Sequence, residues 1–177
     1  MTKSLRTDPR RIRAIRRATF PVVRMRSPRA GRYHPASAAE VREALRRFGE
    51  DSYYGLKAVE LIPAPNVSDR LPLGQLIEPG RIVLYDQPMP PWRLGFDLSA
   101  DERSRLGAAG ATTDCAGTVE WPGPTLRRFM LAYVLAHELG HHMLQHERRL
   151  RGEAAARTRD HEARAEAIAR RLRARLD

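Results

Sequence analysis

The sequence predicts an α+β fold in which short strands precede two long helices. Residues 56–62 and 81–85 are aliphatic or β-branched stretches bounded by Gly and Pro, as expected of strands. Residues 125–146 and 158–176 carry apolar side chains at helical spacing. A chain of 177 residues with 42% hydrophobic content is long enough for one ordinary core and short for two. We therefore expect one domain at residues 33–177, with a small sheet packed on the two helices.

The first 32 residues are the strongly basic part of the chain. They have a net charge of +10, whereas residues 33–146 have −3 and residues 147–177 have +4. Such an arm is typical of proteins that bind nucleic acid or an anionic surface, and equally of a solvated tail. We expect a flexible arm with a short helix at residues 8–18. If it binds nucleic acid, the contacts should come from Arg10, Arg11, Arg13, Arg16 and Arg17.

The best-marked helix of the first half spans residues 37–49. Ser37 and Glu40 have the spacing of a capping box, and Gly49 ends the apolar pattern. The apolar side chains at i, i+3, i+4 and i+7 are Val41, Ala44, Leu45 and Phe48. After the first predicted strand, residues 63–80 are rich in turn-forming residues and have room for a further short strand.

Residues 86–124 are predicted to be a long loop insertion on the surface. Pro, Gly, Ala and Asp dominate their composition. A second capping-box pattern, Ser99 with Glu102, predicts one small helix at residues 99–106. A tolerated insertion is a more common meaning of such a segment than a functional lid.

The cysteine content and the hydropathy of the chain exclude several classes of protein. Cys115 is the only cysteine, which excludes an intrachain disulfide and a cysteine-based zinc cluster and favours a reducing compartment. The longest apolar run, residues 129–136, is too short to span a bilayer. Residues 18–25 lack the apolar core of a signal peptide because Pro21 and Arg24 interrupt them. We therefore predict a cytoplasmic protein without a membrane partner.

The stretch AHELGHH, residues 136–142, has the His-Glu-x-x-His spacing of zinc peptidases. On a helix, His137 and His141 point the same way and leave a gap that a metal ion can bridge. Glu138 lies about 100° round the helix, within reach of a water molecule on the metal. Gly140 is small enough to permit a close approach of another element. His142 and His146 have helical phases that turn them away from the predicted ligands.

A catalytic zinc normally takes three protein ligands, so the motif requires one more. The extension that supplies a third histidine in metzincins is absent, since Leu144 and Glu147 occupy the places of its Gly and His. The last predicted helix carries carboxylates towards its apolar face, where a charge needs a partner. The residues alone leave four candidates: Glu162, Glu166, His161 and Glu153. Glu166 can equally be a solvated acid paired with Arg170.

These motifs resemble the minimal gluzincins of the ImmA/IrrE-like metallopeptidase family. Members show an apolar helix ending in His-Glu-Leu-Gly-His and a second helix patterned Glu-x-x-Ala-(Asn or Asp)-x-(Phe or Trp)-Ala. Glu162, Ala165, Glu166, Ile168 and Ala169 stand at those places here. The resemblance implies a minimal zincin-like fold, Zn²⁺ as cofactor and Glu162 as the third ligand. It also implies that Glu166 orients a histidine.

The predicted function is zinc-dependent hydrolysis of peptide bonds in an intracellular protein, such as a transcriptional repressor. Glu138 would act as the base, and the substrate, by resemblance, would lie along the strand at residues 82–85 as the sheet edge. Tyr133 is predicted to be a core residue. The candidate donors to the oxyanion are Tyr53, Tyr54, Tyr85 and His34. The alternatives are an SprT-like protease associated with nucleic acid and a non-enzymatic, metal-stabilised module that presents the basic arm.

Overall fold

The computed structural model describes residues 19–65, 71–77, 79–94, 98–114, 116–152 and 160–176. Within them the chain combines helices with small sheets, so the predicted α+β class is confirmed. The helix predicted at residues 8–18 lies outside the described residues. So do Cys115, Glu153 and the five arm arginines, Arg10, Arg11, Arg13, Arg16 and Arg17.

Nine short strands occur in the described residues. They are β1 (Val22–Met25), β2 (Arg32–Tyr33), β3 (Ala58–Ile62), β4 (Gly74–Ile77), β5 (Arg81–Tyr85), β6 (Gln87–Pro88), β7 (Trp92–Arg93), β8 (Thr112–Thr113) and β9 (Thr118–Glu120). The central sheet has the order β1-β3-β5-β4, with β1, β3 and β5 parallel and β4 antiparallel to β5. Both predicted strands and the further short strand between them are therefore present.

The helices follow the predicted positions closely. They are α1 (Ala38–Phe48), α2 (Glu50–Tyr53), α3 (Ala100–Ala108), α4 (Thr125–Arg128), a π-helical segment (Phe129–Leu135), α5 (Ala136–Leu150) and α6 (His161–Arg173). Both predicted capping boxes are formed, at Ser37 with Glu40 and at Ser99 with Glu102. The predicted helix from residue 125 is continued by the π-helical segment into α5, which the hydrophobic periodicity did not distinguish from an ordinary α-helix.

One hydrophobic cluster joins the central sheet to the helices. Alternate side chains of the strands, among them Val59, Leu61, Ile82 and Leu84, share it with Leu139 of α5. The opposite face of β5 carries Val83 and Tyr85, which form a second, smaller cluster with Ala64. A central parallel strand is apolar on both faces, as β5 is, because both faces are covered.

The first strand lies within the segment that the sequence assigned to the basic arm. Val22–Met25 pair with β3 in parallel register, and Arg42 of α1 donates a hydrogen bond to the Val23 carbonyl at 3.0 Å. The folded part of the chain therefore begins before residue 33. The strand was missed because its four residues include Arg24 at the sheet edge and leave Val22 and Met25 half exposed, so that no alternating pattern results.

Residues 86–124 contain more regular structure than a loop insertion. They supply α3, the sheet of order β7-β9-β8, and strand β6, which pairs with β2. Trp92, Val119 and Trp121 are buried, and the Trp121 ring lies 4.9 Å from that of Phe129, centroid to centroid. The surface assignment is thus corrected. Strands of two or three residues are too short to give a period-two pattern, which is why composition alone suggested a loop.

Asp86 fastens the chain before β2 to the central sheet. Its carboxylate is fully buried and accepts hydrogen bonds from the backbone amides of Arg29 at 2.8 Å and Ala64 at 2.9 Å, and from Arg32 Nε at 2.8 Å. Burial alone would raise the pKa of Asp86, but these hydrogen bonds and the charge of Arg32 outweigh it and hold that pKa below its usual value. Asp86 is therefore ionised and fully partnered in the core.

No helix among the described residues is long and apolar enough to cross a membrane.

Candidate metal centre

The first two turns of α5 carry the His-Glu-x-x-His motif. The apolar neighbours Leu135, Ala136 and Leu139 are fully buried and fix these turns in the core. His141 is buried, whereas His137 keeps about a quarter of its side chain exposed, at 25%. The helix thus presents two imidazoles at the boundary between the core and an open cleft.

Gly140 allows α6 to approach α5 closely. A Cβ atom built on Gly140 would lie 3.1 Å from the backbone carbon and Cα of Ala165, and closer still to the Ala165 carbonyl oxygen. Any side chain at this position would therefore collide with backbone, which cannot rotate away. The sequence-based interpretation of Gly140 as a residue of close approach agrees with this geometry. Glu162 lies one turn before Ala165 on α6, so the same approach carries its carboxylate to the two histidines.

Three potential ligand atoms converge beside α5. His137 Nε2 and His141 Nε2 lie 3.0 Å apart, and Glu162 Oε2 lies 3.5 Å from each of them. Tetrahedral coordination with bonds of about 2.0–2.1 Å requires ligand atoms about 3.3 Å apart. The three atoms therefore fit one small metal ion. Among the described residues, this is the one group of three or more His, Cys, Asp or Glu that could hold a metal.

Glu166 lies behind His137. Its Oε2 is 3.3 Å from His137 Nδ1, and its Oε1 accepts a hydrogen bond of 2.6 Å from Arg173 Nη2. Burial alone would raise the pKa of Glu166, but the hydrogen bond and charge of Arg173, followed by those of His137, lower it below its usual value. The carboxylate is thus ionised and faces the ring nitrogen opposite Nε2. Its partner on α6 is Arg173, and no hydrogen bond or ion pair joins it to Arg170.

The other described histidines of α5 and α6 do not supply a converging ligand atom. His142 Nε2 lies 2.9 Å from the Tyr54 carbonyl oxygen, and the ring of His146 stacks at 5.7 Å on that of His142. Burial lowers the pKa of His142 to about 4, so its ring is neutral near pH 7. His161 stacks in parallel on His141, with ring centroids 4.9 Å apart, and does not join the converging ligand atoms.

An open cleft of about 380 Å³ lies beside the histidines and includes Glu138 in its wall. Much of the remaining wall is apolar and comes from three parts of the chain. The chain at the start of β4 contributes Leu73 and Gly74, and the segment 86–124 contributes Trp92, Leu98 and Leu106. The π-helical segment contributes Phe129 and Val134. The cleft is thus largely apolar, with His137, Glu138, Glu166 and Arg173 and, from α3, Glu102 and Arg105 as its charged or polar lining residues.

In the central sheet, the strand that lines the cleft is β4 rather than β5. In the order β1-β3-β5-β4, β5 is an internal strand and β4 is an edge of the sheet. Gly74 of β4 approaches the π-helical segment so closely that a Cβ atom there would lie 2.8 Å from Val134 Cγ1. The prediction that residues 82–85 form the sheet edge is therefore wrong. The sequence allowed a short strand at residues 63–80, but its turn-rich surroundings gave no sign that this strand, β4, forms an edge of the sheet.

None of the four predicted oxyanion donors lies in the wall of the cleft. Tyr53 is buried against Phe20, Tyr54 packs on His146, Tyr85 donates a hydrogen bond to Gln75 at 3.1 Å, and His34 lies 2.9 Å from the Arg26 carbonyl oxygen.

Two cleft residues were not predicted. Tyr133 packs against the core, as predicted, and also lines the cleft with Arg173, whose guanidinium carbon lies 4.4 Å from the centre of the Tyr133 ring. Arg173 had a weak signal in the sequence, because it follows Glu166 by seven residues, which is two helical turns on one face.

Comparisons with known proteins find no relative of this chain. No model of a protein family matches it, and searches of curated proteins and of solved structures find no match either.

Proposed function

We propose that this chain is a zinc-dependent metalloendopeptidase with a minimal zincin-like fold, acting on an intracellular protein. The observation that carries the proposal is the convergence of His137 Nε2, His141 Nε2 and Glu162 Oε2, with Glu138 in the wall of the same cleft. The three donors lie on two helices, within a stretch of 26 residues. A structural ion pair needs one cation and one carboxylate, whereas here two imidazoles and a carboxylate face one point.

The donor set favours zinc over other common metals. Two imidazole nitrogens and one carboxylate oxygen are a usual catalytic zinc set, whereas Mg²⁺ and Ca²⁺ prefer oxygen donors alone. Three protein ligands leave one position for water. Solvent reaches the cluster from the side of Glu162, whose side chain is 64% exposed. A bound zinc ion would supply a Lewis acid that polarises the scissile carbonyl and lowers the pKa of a water molecule.

The chain's own residues supply the remaining chemistry. Glu138 accepts a proton from the attacking water on a carboxylate oxygen and passes it to the nitrogen of the leaving amine. Glu166 holds the proton on His137 Nδ1, so that Nε2 keeps its lone pair for the metal. The edge strand β4 offers backbone groups to an extended substrate, and the apolar walls of the cleft beside it accept the substrate's apolar side chains. The substrate then needs an unfolded or extended segment.

Two alternative functions assign other roles to the basic arm and to Glu138. The charge of +10 in the first 32 residues favours an SprT-like protease that reaches its protein substrates on nucleic acid. A non-enzymatic module would use the metal to join α5 and α6 and would have no need for Glu138. Catalysis by Glu138 therefore distinguishes enzymes from the module, and the arm distinguishes the two kinds of protease.

Replacing Glu138 with Gln tests the proposal. The zinc-loaded protein is incubated with a library of peptides from a bacterial proteome, and new termini are identified by mass spectrometry. We expect the wild type to cleave and Glu138→Gln to be about 10²-fold slower or worse, since a positioned general base contributes at least that factor. Zinc content should be unchanged in the variant.

The matched control is Glu147→Gln, the same substitution on the same helix. Glu147 is exposed and paired with Arg151 at 2.6 Å, away from the cleft. It should cleave at the wild-type rate. A Glu138→Gln variant that retains both zinc and full cleavage would overturn the proposed mechanism.

A further inference from the structure

The Glu166 carboxylate uses its two oxygens in two different directions. Oε2 faces His137 Nδ1 at 3.3 Å, while Oε1 is held by Arg173 Nη2 at 2.6 Å. A glutamate side chain has several rotamers of similar energy, and holding one of them costs conformational entropy. The bond from Arg173 selects the rotamer in which the other oxygen faces the histidine.

Arg173 is itself held on a second side. Its guanidinium carbon lies 4.4 Å from the centre of the Tyr133 ring, within the range of a cation–π interaction. The Tyr133 hydroxyl donates a hydrogen bond of 2.9 Å to the carbonyl of Ala108 at the end of α3. Only 16% of the Arg173 side chain is exposed. The guanidinium therefore lies between a carboxylate and an aromatic face that is anchored at its far edge.

We propose that Arg173 is a positioning residue of the metal centre, which fixes His137 through Glu166. The proposal rests on the metal site named under the proposed function. Arg173 touches neither the ligand atoms nor the position of a metal. Its effect is transmitted by the Glu166 carboxylate, which orients the imidazole and keeps the proton on Nδ1 so that Nε2 points at the metal. Tyr133 and α3 extend the same chain of contacts into the segment 86–124.

An ordinary surface ion pair does not explain this arrangement. Exposed pairs contribute little, about 0.2–1 kcal/mol, because both side chains remain solvated. Glu166 could form an i,i+4 pair with Arg170, yet Arg170 is exposed and Glu166 bonds to Arg173, three residues further along. The Arg173 guanidinium is instead largely buried and lies over the Tyr133 ring. It therefore fixes the position of the Glu166 carboxylate, which a solvated ion pair does not do.

The test measures zinc affinity by competition with a chromophoric chelator at pH 7, in the full chain. We expect Arg173→Met to weaken zinc binding by about 10-fold, the lower end of the 10–100-fold range for removal of the direct partner of a ligating histidine, which is Glu166 here. Arg173→Lys keeps a positive charge and should recover part of that loss. The matched control is Arg170→Met, which removes an exposed arginine from the same helix and should bind zinc like the wild type.

A double variant tests whether Arg173 acts through Glu166. If it does, Glu166→Gln with Arg173→Met should bind zinc no more weakly than Glu166→Gln alone, since the transmitting carboxylate is already lost. The metal-free melting temperature of each variant is recorded, so that weaker binding is separated from loss of fold. Wild-type affinity in Arg173→Met, or fully additive losses in the double variant, would overturn the proposal.

These outcomes are independent of peptide cleavage. A wild type that binds zinc tightly but cleaves nothing would contradict the proposed function and leave the role of Arg173 supported by the affinities. Equal affinity in the wild type and Arg173→Met, with cleavage by the wild type, would contradict the role of Arg173 alone. A wild type that binds no zinc would contradict both.

Discussion

Replacing Gly140 with Ala should force apart the two helices that carry the metal ligands. The added Cβ would lie 3.1 Å from two backbone carbons of Ala165 and closer to its carbonyl oxygen, whereas ordinary contacts begin at 3.4 Å. Relief of the overlap at the oxygen requires the helices to separate by roughly 1 Å, since neither backbone can rotate away. Metal–ligand distances tolerate only about 0.2 Å. Glu162, on the displaced helix, would therefore leave the ligand position.

Both stability and metal affinity should fall in this variant. Overpacking of this kind costs about 1–3 kcal/mol of unfolding free energy, which corresponds to a melting temperature about 2–12 °C lower for a chain of this size. Zinc affinity should fall by about 10-fold or more, as for other losses of ligand geometry. The assays are thermal unfolding of the metal-free protein by circular dichroism and competition with a chromophoric chelator.

Gly107→Ala is the matched control for this prediction. Gly107 lies in α3, and nothing lies within 4 Å of a Cβ atom built there. In a helix interior, Gly to Ala normally stabilises by about 0.5–1 kcal/mol. The control should therefore unfold at the wild-type temperature or slightly above it. If Gly140→Ala behaves like Gly107→Ala in both assays, the close approach of α5 and α6 is not what holds Glu162 in place.

Three further predictions concern the core, the metal and the arm. Asp86→Asn should lower the unfolding free energy at pH 7 by about 3 kcal/mol, because Arg32 and the amides of Arg29 and Ala64 lose an ionised acceptor. Because folding lowers the pKa of Asp86, this stability is present above its unfolded value of 3.8 and is lost as the pH falls through the lower folded value. Urea titrations should thus show that the difference in unfolding free energy between wild type and Asp86→Asn becomes smaller below about pH 3.8. A difference that does not change with pH would refute the reasoning. Chelation with EDTA should lower the melting temperature, and equal temperatures with and without zinc would mean that the ion does not join α5 to α6. Deleting residues 1–18, which spares β1, should abolish salt-dependent retention on DNA, and unchanged retention would remove the support for a nucleic-acid role.

Local sequence patterns predicted most of the helices, including the two that carry the candidate ligands. The capping boxes at Ser37 and Ser99 fixed the starts of α1 and α3, because each depends on residues only three apart. His137 and His141 share a face for the same local reason, the helical repeat. The structure brings Glu162 to them, although it is 21 residues beyond His141 and only the pattern of a second helix pointed to it.

The parts that the sequence did not predict depend on contacts between distant segments. The strands of residues 86–124 are too short for any period to be counted, and pairing across the sheet creates them. The sequence allowed a short strand at β4 but did not predict that this strand forms an edge of the central sheet. Asp86 stands in a Pro-rich stretch, yet it is buried because three donors from residues 29, 32 and 64 meet it. Glu166 bonds to Arg173 rather than Arg170, and Arg173 also lies over the ring of Tyr133 from another helical segment, a contact that local spacing does not predict.

The metal content of the purified protein tests the central claim most directly. Wild type, Glu138→Gln and the control Glu147→Gln are dialysed against zinc and then against metal-free buffer, beside His141→Ala and Glu162→Ala. Metal and protein are quantified by plasma mass spectrometry and amino-acid analysis. A three-ligand site formed by His137, His141 and Glu162 predicts about one zinc per chain in the first three proteins and almost none in the two ligand variants. One zinc per chain retained in both His141→Ala and Glu162→Ala would contradict it.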